Sequence, residues 1–158
     1  YFPLGGIGIS DKIADVMNES GTPWMHAYTY SAHPVGCAMA LAMMDIVETE
    51  DFPAQAAEKG DRLGQALTTE LASHPHVGEV RWLGLMAAVE IVKDKSTGEE
   101  FEAADKVGPR VLAACTERGL FSRVRGDVFV LAPPIVSTDA QLARIAEITT
   151  ESIHSVLG

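Results

Sequence analysis

Cysteine is scarce in this chain. Cys37 and Cys115 are the two present, too few and too far apart for a disulfide framework or a four-ligand zinc site. Reduced thiols in a cytoplasmic protein are the simplest reading, and no metal is expected. Basic charge is short as well: 12 Lys and Arg stand against 22 Asp and Glu, a formal net charge of -10. A nucleic-acid backbone or an anionic membrane surface would be repelled, so neither is expected as a partner. No apolar run approaches the roughly 20 residues of a membrane helix. The opening Tyr1-Phe2-Pro3-Leu4-Gly5-Gly6 has neither the charged flank nor the cleavage site of a signal peptide, and no initiator Met. Such an opening is expected of a segment cut from within a longer protein. Internal repeats and low-complexity tracts are absent too, which excludes solenoids and linkers.

What is there suffices for a core. A chain of 158 residues, 47% of them hydrophobic, can hide roughly 70% of the surface that its unfolded form exposes. Gly6 to Ser10 is a short apolar run suited to a buried strand, and Lys12 to Asn18 reads as helical behind Asp11. Glu19 to His33 lacks periodicity and carries Trp24, Tyr28 and Tyr30, so it is expected to be a loop buried at a site or an interface. Pro34 opens a helix to about Glu50 that is apolar nearly all round, the pattern of a helix packed on several sides, with its Met residues as core filler.

Beyond the break at Asp51-Phe52-Pro53, Ala54 to Ser73 reads as a helix with Leu63, Leu67 and Leu71 along one face. Val77 to Trp82 and Leu85 to Val92 read as strands, and Asp105 to Arg118 as a helix closed by Gly119. Leu120 to Val124 and Val128 to Leu131 form a hairpin around Arg125-Gly126-Asp127. Thr138 then caps a final helix to Leu157. The second half is thus a compact α+β unit, a small sheet with helices on one face.

Several features that could carry chemistry fail. Gly5-Gly6-Ile7-Gly8 lacks the Lys-Ser/Thr of a phosphate loop, and His74-Pro75-His76 reads as a solvated turn with no third metal ligand nearby in sequence. Two places remain. The run His26-Ala27-Tyr28-Thr29-Tyr30-Ser31-Ala32-His33-Pro34 sets hydroxyls and imidazoles just before a helix N-terminus, where an anionic group is favoured. Arg123 and Arg125 end a strand in an acidic protein; either could pair with a substrate carboxylate or simply form a surface salt bridge. Arg125 is expected on the opposite face of the strand from Arg123.

Six segments, in order along nearly the whole chain, resemble the class III, pyridoxal-phosphate-dependent aminotransferases. They are Tyr1 to Gly6, His26 to Pro34, Gly84-Leu85-Met86-Ala87-Ala88-Val89-Glu90, Gly119-Leu120-Phe121-Ser122-Arg123, Gly126-Asp127 and Ala132-Pro133-Pro134-Ile135. The Ser31-Ala32-His33-Pro34 ending is similar to the ω-amino acid:pyruvate transaminase branch, although Ala27 and Ala32 stand where the family usually has Gly.

The resemblance implies an α/β, fold-type-I transferase. Residues 1–50 would be the end of the large cofactor-binding domain and 51–158 the C-terminal α+β small domain. It implies pyridoxal 5'-phosphate as cofactor, amine and keto-acid substrates such as pyruvate, and a homodimer with shared active sites. Thr29, with Tyr28 beside it, matches the position that binds the phosphate of the neighbouring subunit's cofactor. Arg123 matches the arginine that pairs with a substrate carboxylate. The family's Schiff-base lysine lies six residues before the Tyr-x-Pro-Leu-Gly segment, and none of Lys12, Lys59, Lys93, Lys95 and Lys106 matches its motif. This chain alone is therefore expected to be inactive. An isomerase or decarboxylase on the same scaffold, or a non-catalytic association domain, are the other readings.

Overall fold

The computed structural model describes residues 2–158, which divide into two compact units, the first ending at Glu50 and the second running Asp51–Gly158. In the first unit, α1 (Asp11–Glu19) follows an irregular stretch, and α2 (Pro34–Thr49) follows a second one. Pro34 occupies the first turn of α2, where its missing N–H costs nothing, and the His33 ring accepts from the Gly36 N–H at 3.4 Å. The Phe2 ring closes on that turn. A Cβ at Gly36 would lie 2.5 Å from it, so glycine lets the ring approach the helix.

Two expectations fail within this unit. Gly6 to Ser10 forms no strand, because the described residues offer it no partner to pair with. In α2 only Gly36 is buried, while Leu41 is 64% and Met44 57% exposed. Within this single chain the loop aromatics are open, with Tyr28 72% and Tyr30 75% exposed, so the unit itself does not bury them. Two helices and two irregular segments have too little mass to enclose an apolar helix.

The second unit carries the core. α3 (Phe52–Leu71) starts where the Asp51 carboxylate accepts from the Ala54 N–H at 3.3 Å, with Pro53 tolerated in the first turn. Leu63, Leu67 and Leu71 fall on one stripe, each 1% exposed or less. Burying each contributes roughly 1.5–3 kcal/mol. That stripe packs on an antiparallel sheet of β1 (Val77–Leu83), β2 (Met86–Ile91), β3 (Arg123–Arg125) and β4 (Val128–Leu131), in the order β1-β2-β4-β3.

Register assigns the faces. Trp82 pairs with Ala87 and Val80 with Val89, while Phe129 stands opposite both Val89 and Val124. These side chains form the inner face. Glu79, Arg81, Glu90, Arg123 and Arg125 alternate with them and point outward. α3 lies on β1 and β2. α4 (Val107–Glu117) lies on β3 and β4, and α5 (Asp139–Leu157) packs on both helices. The Thr138 hydroxyl accepts from the Gln141 N–H and the Gln141 side chain reaches back to the Thr138 N–H, a complete capping box for α5. Cys115 is buried within this core, which pushes its thiol pKa up. No helix among the described residues is long and apolar enough to cross a membrane.

His74 departs from its expected place in a solvated turn. It is 2% exposed, with its ring 4.8 Å from that of His154 on α5 and 5.9 Å from that of His76. Its Nδ1 accepts from the His76 N–H at 3.1 Å, so the neutral ring carries its proton on Nε2, which has no partner among the described residues. Protonating Nδ1 would set two donors against each other. Burial, then the neighbouring His154, His76 and Lys95, hold the His74 pKa below its usual value.

The sign of the linkage follows. Above about pH 6.5 the group is neutral in both states and costs nothing. As pH falls below that, the unfolded chain takes up a proton that the native chain resists, and stability is lost until the folded pKa is passed. Each unit of depression corresponds to about 1.4 kcal/mol. His74→Asn keeps an acceptor near Nδ1 but cannot titrate. We expect its melting temperature to fall less than that of the wild type between pH 7.5 and 5. Parallel curves in circular dichroism melts would show that His74 does not titrate against the fold.

Candidate functional site

The sequence-derived site residues fall into both units, and each group is described within its own. In the first unit, Tyr28 and Thr29 lie in a double turn just before α2. Ser31 N–H donates to Tyr28 O at 3.0 Å, His33 N–H to Tyr30 O at 3.2 Å, and Tyr28 N–H to Ser31 Oγ at 3.1 Å. Ala32 supplies the sharp reversal at φ +56°, in the left-handed region where glycine is favoured. A run of rings supports the turn: Trp24 stacks on His26 at 5.8 Å, His26 meets Tyr28 edge-on at 5.0 Å, and Phe2 stacks on His33 at 5.4 Å.

A hollow of about 470 Å³ opens here, lined by Phe2, Leu4, Tyr28, Tyr30, Ser31 and His33 among others. Thr29 is exposed beside it rather than in its lining. Residues 20–36 contain no acidic side chain, although acids outnumber bases nearly two to one in the whole chain. Hydroxyls and imidazoles at the start of α2, on the positive end of its dipole, are a set suited to an anion such as a phosphate ester.

In the second unit, Arg123 begins β3 and Arg125 ends it. Both are exposed. They flank Val124, and the period-two alternation of a strand therefore puts them on one face, beside Val130 and Val128 of β4. The expected opposite orientation is thus corrected: residues two apart share a face, and only neighbours alternate. Position along the strand still separates them. Arg123 borders a hollow of about 360 Å³ with Phe121, Ser122, Ala132, Pro133 and Pro134. Arg125 borders a different one, with Glu90, Phe101, Lys106 and Asp127.

The salt-bridge alternative does not arise for Arg123. Arg62, Arg81, Lys93, Arg118 and Arg144 pair with carboxylates, whereas among the described residues Arg123 has none within ion-pair distance. Arg81 shows the contrast. Glu90 at 2.7 Å and Glu79 at 2.9 Å hold it in place, and those hydrogen bonds raise its pKa. The sequence reading had not singled out Phe121, which is 91% exposed next to Arg123 and gives the hollow an apolar wall. A lone bulky aromatic beside a strand-end arginine was the signal for it. No group of three or more His, Cys, Asp or Glu among the described residues could hold a metal ion.

Of the five lysines, three are engaged structurally. Lys59 donates to Ile135 O, Lys95 to Ala72 O at 2.7 Å, and Lys93 pairs with Glu99.

The comparisons with known proteins agree with these motifs. The class-III aminotransferase family model matches residues 2–153. The chain is 38% identical over 162 residues to a diaminobutyrate–2-oxoglutarate transaminase of Halomonas elongata, covering 99% of this chain and 34% of the relative. It is 38% identical over 143 residues to a putrescine–pyruvate aminotransferase of Pseudomonas aeruginosa, covering 90% of this chain and 31% of that protein. Among solved structures, a thermostable (S)-enantioselective omega-transaminase from Thermomicrobium roseum superposes with a TM-score of 0.86 at 40% identity, over 96% of this chain and 34% of that one. The chain therefore belongs to the class III aminotransferases, a pyridoxal-phosphate-dependent family of fold type I. It spans about a third of the length of the relatives that it matches.

Proposed function

We propose that this chain is the phosphate-turn and substrate-end portion of a transaminase that moves an amino group from an amine or ω-amino acid to a keto acid such as pyruvate. The observation that carries the proposal is Arg123: an exposed guanidinium with no carboxylate partner among the described residues, at the rim of an apolar hollow, in a chain of this family. The putrescine–pyruvate and omega-transaminase relatives support the branch.

Pyridoxal phosphate, when bound, supplies the electron sink that makes transfer of the amino group and of the α-proton feasible. The residues of this chain bind and orient. The Thr29 hydroxyl, with Tyr28 beside it, donates to the phosphate of the neighbouring subunit's cofactor in a homodimer, and the acid-free turn keeps negative charge away from it. Arg123 holds the keto-acid carboxylate in a two-point fork, fixing the carbonyl carbon relative to the cofactor, while Phe121 and Pro133 exclude water from that end. In this reading the Schiff-base lysine is none of the five present here, in keeping with the structural bonds of Lys59, Lys93 and Lys95. A cytoplasmic location remains part of this reading, on the cysteine-poor sequence alone.

The test uses the full-length protein. Incubated with pyridoxal phosphate, a diamine and pyruvate, it should form alanine; no alanine with any of several amines would end the reading of pyruvate as acceptor. Thr29→Ala should weaken cofactor retention by about ten- to a hundred-fold, since a hydrogen bond to a charged group contributes roughly 1.5–3 kcal/mol. Equilibrium dialysis measures this directly. Unchanged affinity would remove Thr29 from the phosphate site.

A further inference from the structure

We infer that Asp127 is a positioning residue for Arg123: from the tip of the β3–β4 hairpin its carboxylate caps the neighbouring helix α4, and so fixes the short strand that presents the guanidinium. This rests on the reading of Arg123 as the carboxylate-binding arginine.

The start of α4 lacks a cap of its own. Its N-cap residue, Lys106, sits in the left-handed region at φ +49° and its side chain makes no capping bond. Instead the Gly108 N–H, in the first turn, donates to Asp127 Oδ1 at 2.7 Å. A carboxylate at that end also meets the positive pole of the helix. The approach is close: a Cβ on Gly108 would lie 2.2 Å from Gly126 O, so only glycine lets the hairpin tip reach the helix. The tip is itself a two-residue turn between the paired Arg125 and Val128, with Gly126 first at φ +58°. That is the arrangement of a type II′ turn. The Asp127 carbonyl accepts from the Ile91 N–H at 3.0 Å, so one residue ties the tip to α4 and to the end of β2.

The need for such an anchor follows from topology. Among the described residues β3 is three residues long, lies at the sheet edge and pairs with β4 alone. A strand of that length has few ladder bonds to resist rotation or fraying. At its far end the Ser122 hydroxyl donates to Val130 O, next to the Arg123 and Val130 pair. The hairpin bearing Arg123 is therefore pinned at both ends. The Asp127 end is the one attached to a helix packed on α5 and on the sheet. Its carboxylate never needs to touch substrate; its effect on the reaction passes through the placement of Arg123.

The experiment uses the full-length holoenzyme, with Asp127→Ala, Asp127→Asn and Arg123→Ala compared in two half-reactions, one with pyruvate and one with an amine lacking a carboxylate. Asp127→Ala should raise the pyruvate KM by about tenfold, the size of one lost charge-assisted hydrogen bond, and leave the amine half-reaction and the saturating rate within twofold. Asp127→Asn keeps an acceptor for Gly108 but loses the charge at the helix start, and should raise the same KM by roughly two- to threefold. A graded KM effect confined to pyruvate supports positioning.

Equal losses in both half-reactions, or a lowered melting temperature with an unchanged pyruvate KM, would make Asp127 a purely structural cap and overturn the inference. Should Asp127→Ala fail to fold, an unchanged pyruvate KM in Asp127→Asn overturns it equally. Arg123→Ala separates the two levels. If that variant is itself unselective, the reading of Arg123 falls and the positioning role with it. If it is selective while the Asp127 variants are not, only the positioning role falls.

Discussion

Arg123→Ala in the full-length enzyme should slow the pyruvate half-reaction by at least roughly thirtyfold and leave an amine without a carboxylate nearly untouched. The size follows from what is lost. A two-point pair between guanidinium and carboxylate is charge-assisted and contributes about 2 kcal/mol or more once substrate has displaced water from it, and each 1.4 kcal/mol is a factor of ten. Arg123 is exposed in this chain, so the lower end of that range is the one to expect. Selectivity follows from the absence of any other role: the side chain makes no ion pair among the described residues, and its removal leaves no buried carboxylate behind. Arg125→Ala is the control. It shares the face but borders the hollow of Glu90 and Lys106, and should change both half-reactions less than twofold. Single-turnover absorbance changes of the cofactor, recorded separately for pyruvate and amine, give the two rates. Similar losses on both substrates would make Arg123 a support of the fold, and a selective loss in Arg125→Ala would transfer the role to that residue.

The largest stability effect is expected at Gly60. Its ideal Cβ would lie 1.9 Å from Gly84 O and 2.3 Å from Gly84 C, which is backbone against backbone with no side chain to swing away. α3 would have to withdraw from the β1–β2 turn, loosening the stripe of Leu63 and Leu67 from the sheet. Gly60→Ala should cost about 3 kcal/mol or more, toward the upper end of overpacking. At roughly 4–5 °C per kcal/mol for a unit of this size, the melting transition of the second unit should drop by about 12–15 °C. The partner glycine gives the comparison. Gly84 has φ +53°, but a Cβ there would meet only ordinary van der Waals contacts, the nearest being the Ala56 Cβ at 3.6 Å. Gly84→Ala should therefore cost only the backbone strain, about 1–2 kcal/mol. Calorimetry that found the two variants equally stable would contradict the close approach of helix and turn.

Much of the second unit could be read from residues alone because its signals are local. The four-residue spacing of Leu63, Leu67 and Leu71 marks the buried stripe of α3, and Thr138 with Gln141 three positions on marks the start of α5. Gly119, at φ +89°, closes α4 as a glycine after a helix should. What failed depended on partners distant in sequence. His74 looked like part of a wet turn because His154, which covers it, lies at the far end of α5. Gly6 to Ser10 had the composition of a strand but no strand to pair with among the described residues. The apolar surface of α2 indicated a buried helix, yet the first unit does not bury it. The first strand of the hairpin starts later than Leu120 to Val124, at Arg123, and takes in Arg125, which had been assigned to the turn; the period of two, applied properly, then puts both arginines on one side. Tyr28, Thr29 and Arg123 were named through the family motifs. Geometry adds an acid-free turn around the first two and an unpaired guanidinium at the third.

The placement of β3 has a colloidal consequence. Any open sheet ends in strands whose free N–H and C=O groups can recruit another chain, and short length with outward charge is how soluble proteins blunt that hazard. Among the described residues β3 is one such end, and its outward positions are both arginines. At the opposite end, β1 carries Glu79 and Arg81 outward and an irregular register beside Val77. The guanidinium offered to a small anion thus also guards a sheet edge against self-association. Because the protein is strongly acidic overall, two cations on this margin also keep the edge from matching the charge of the surface around it. Neutralising both arginines would leave a strand of three residues, Val124 at its centre, with no charge to hold off the edge of a second copy.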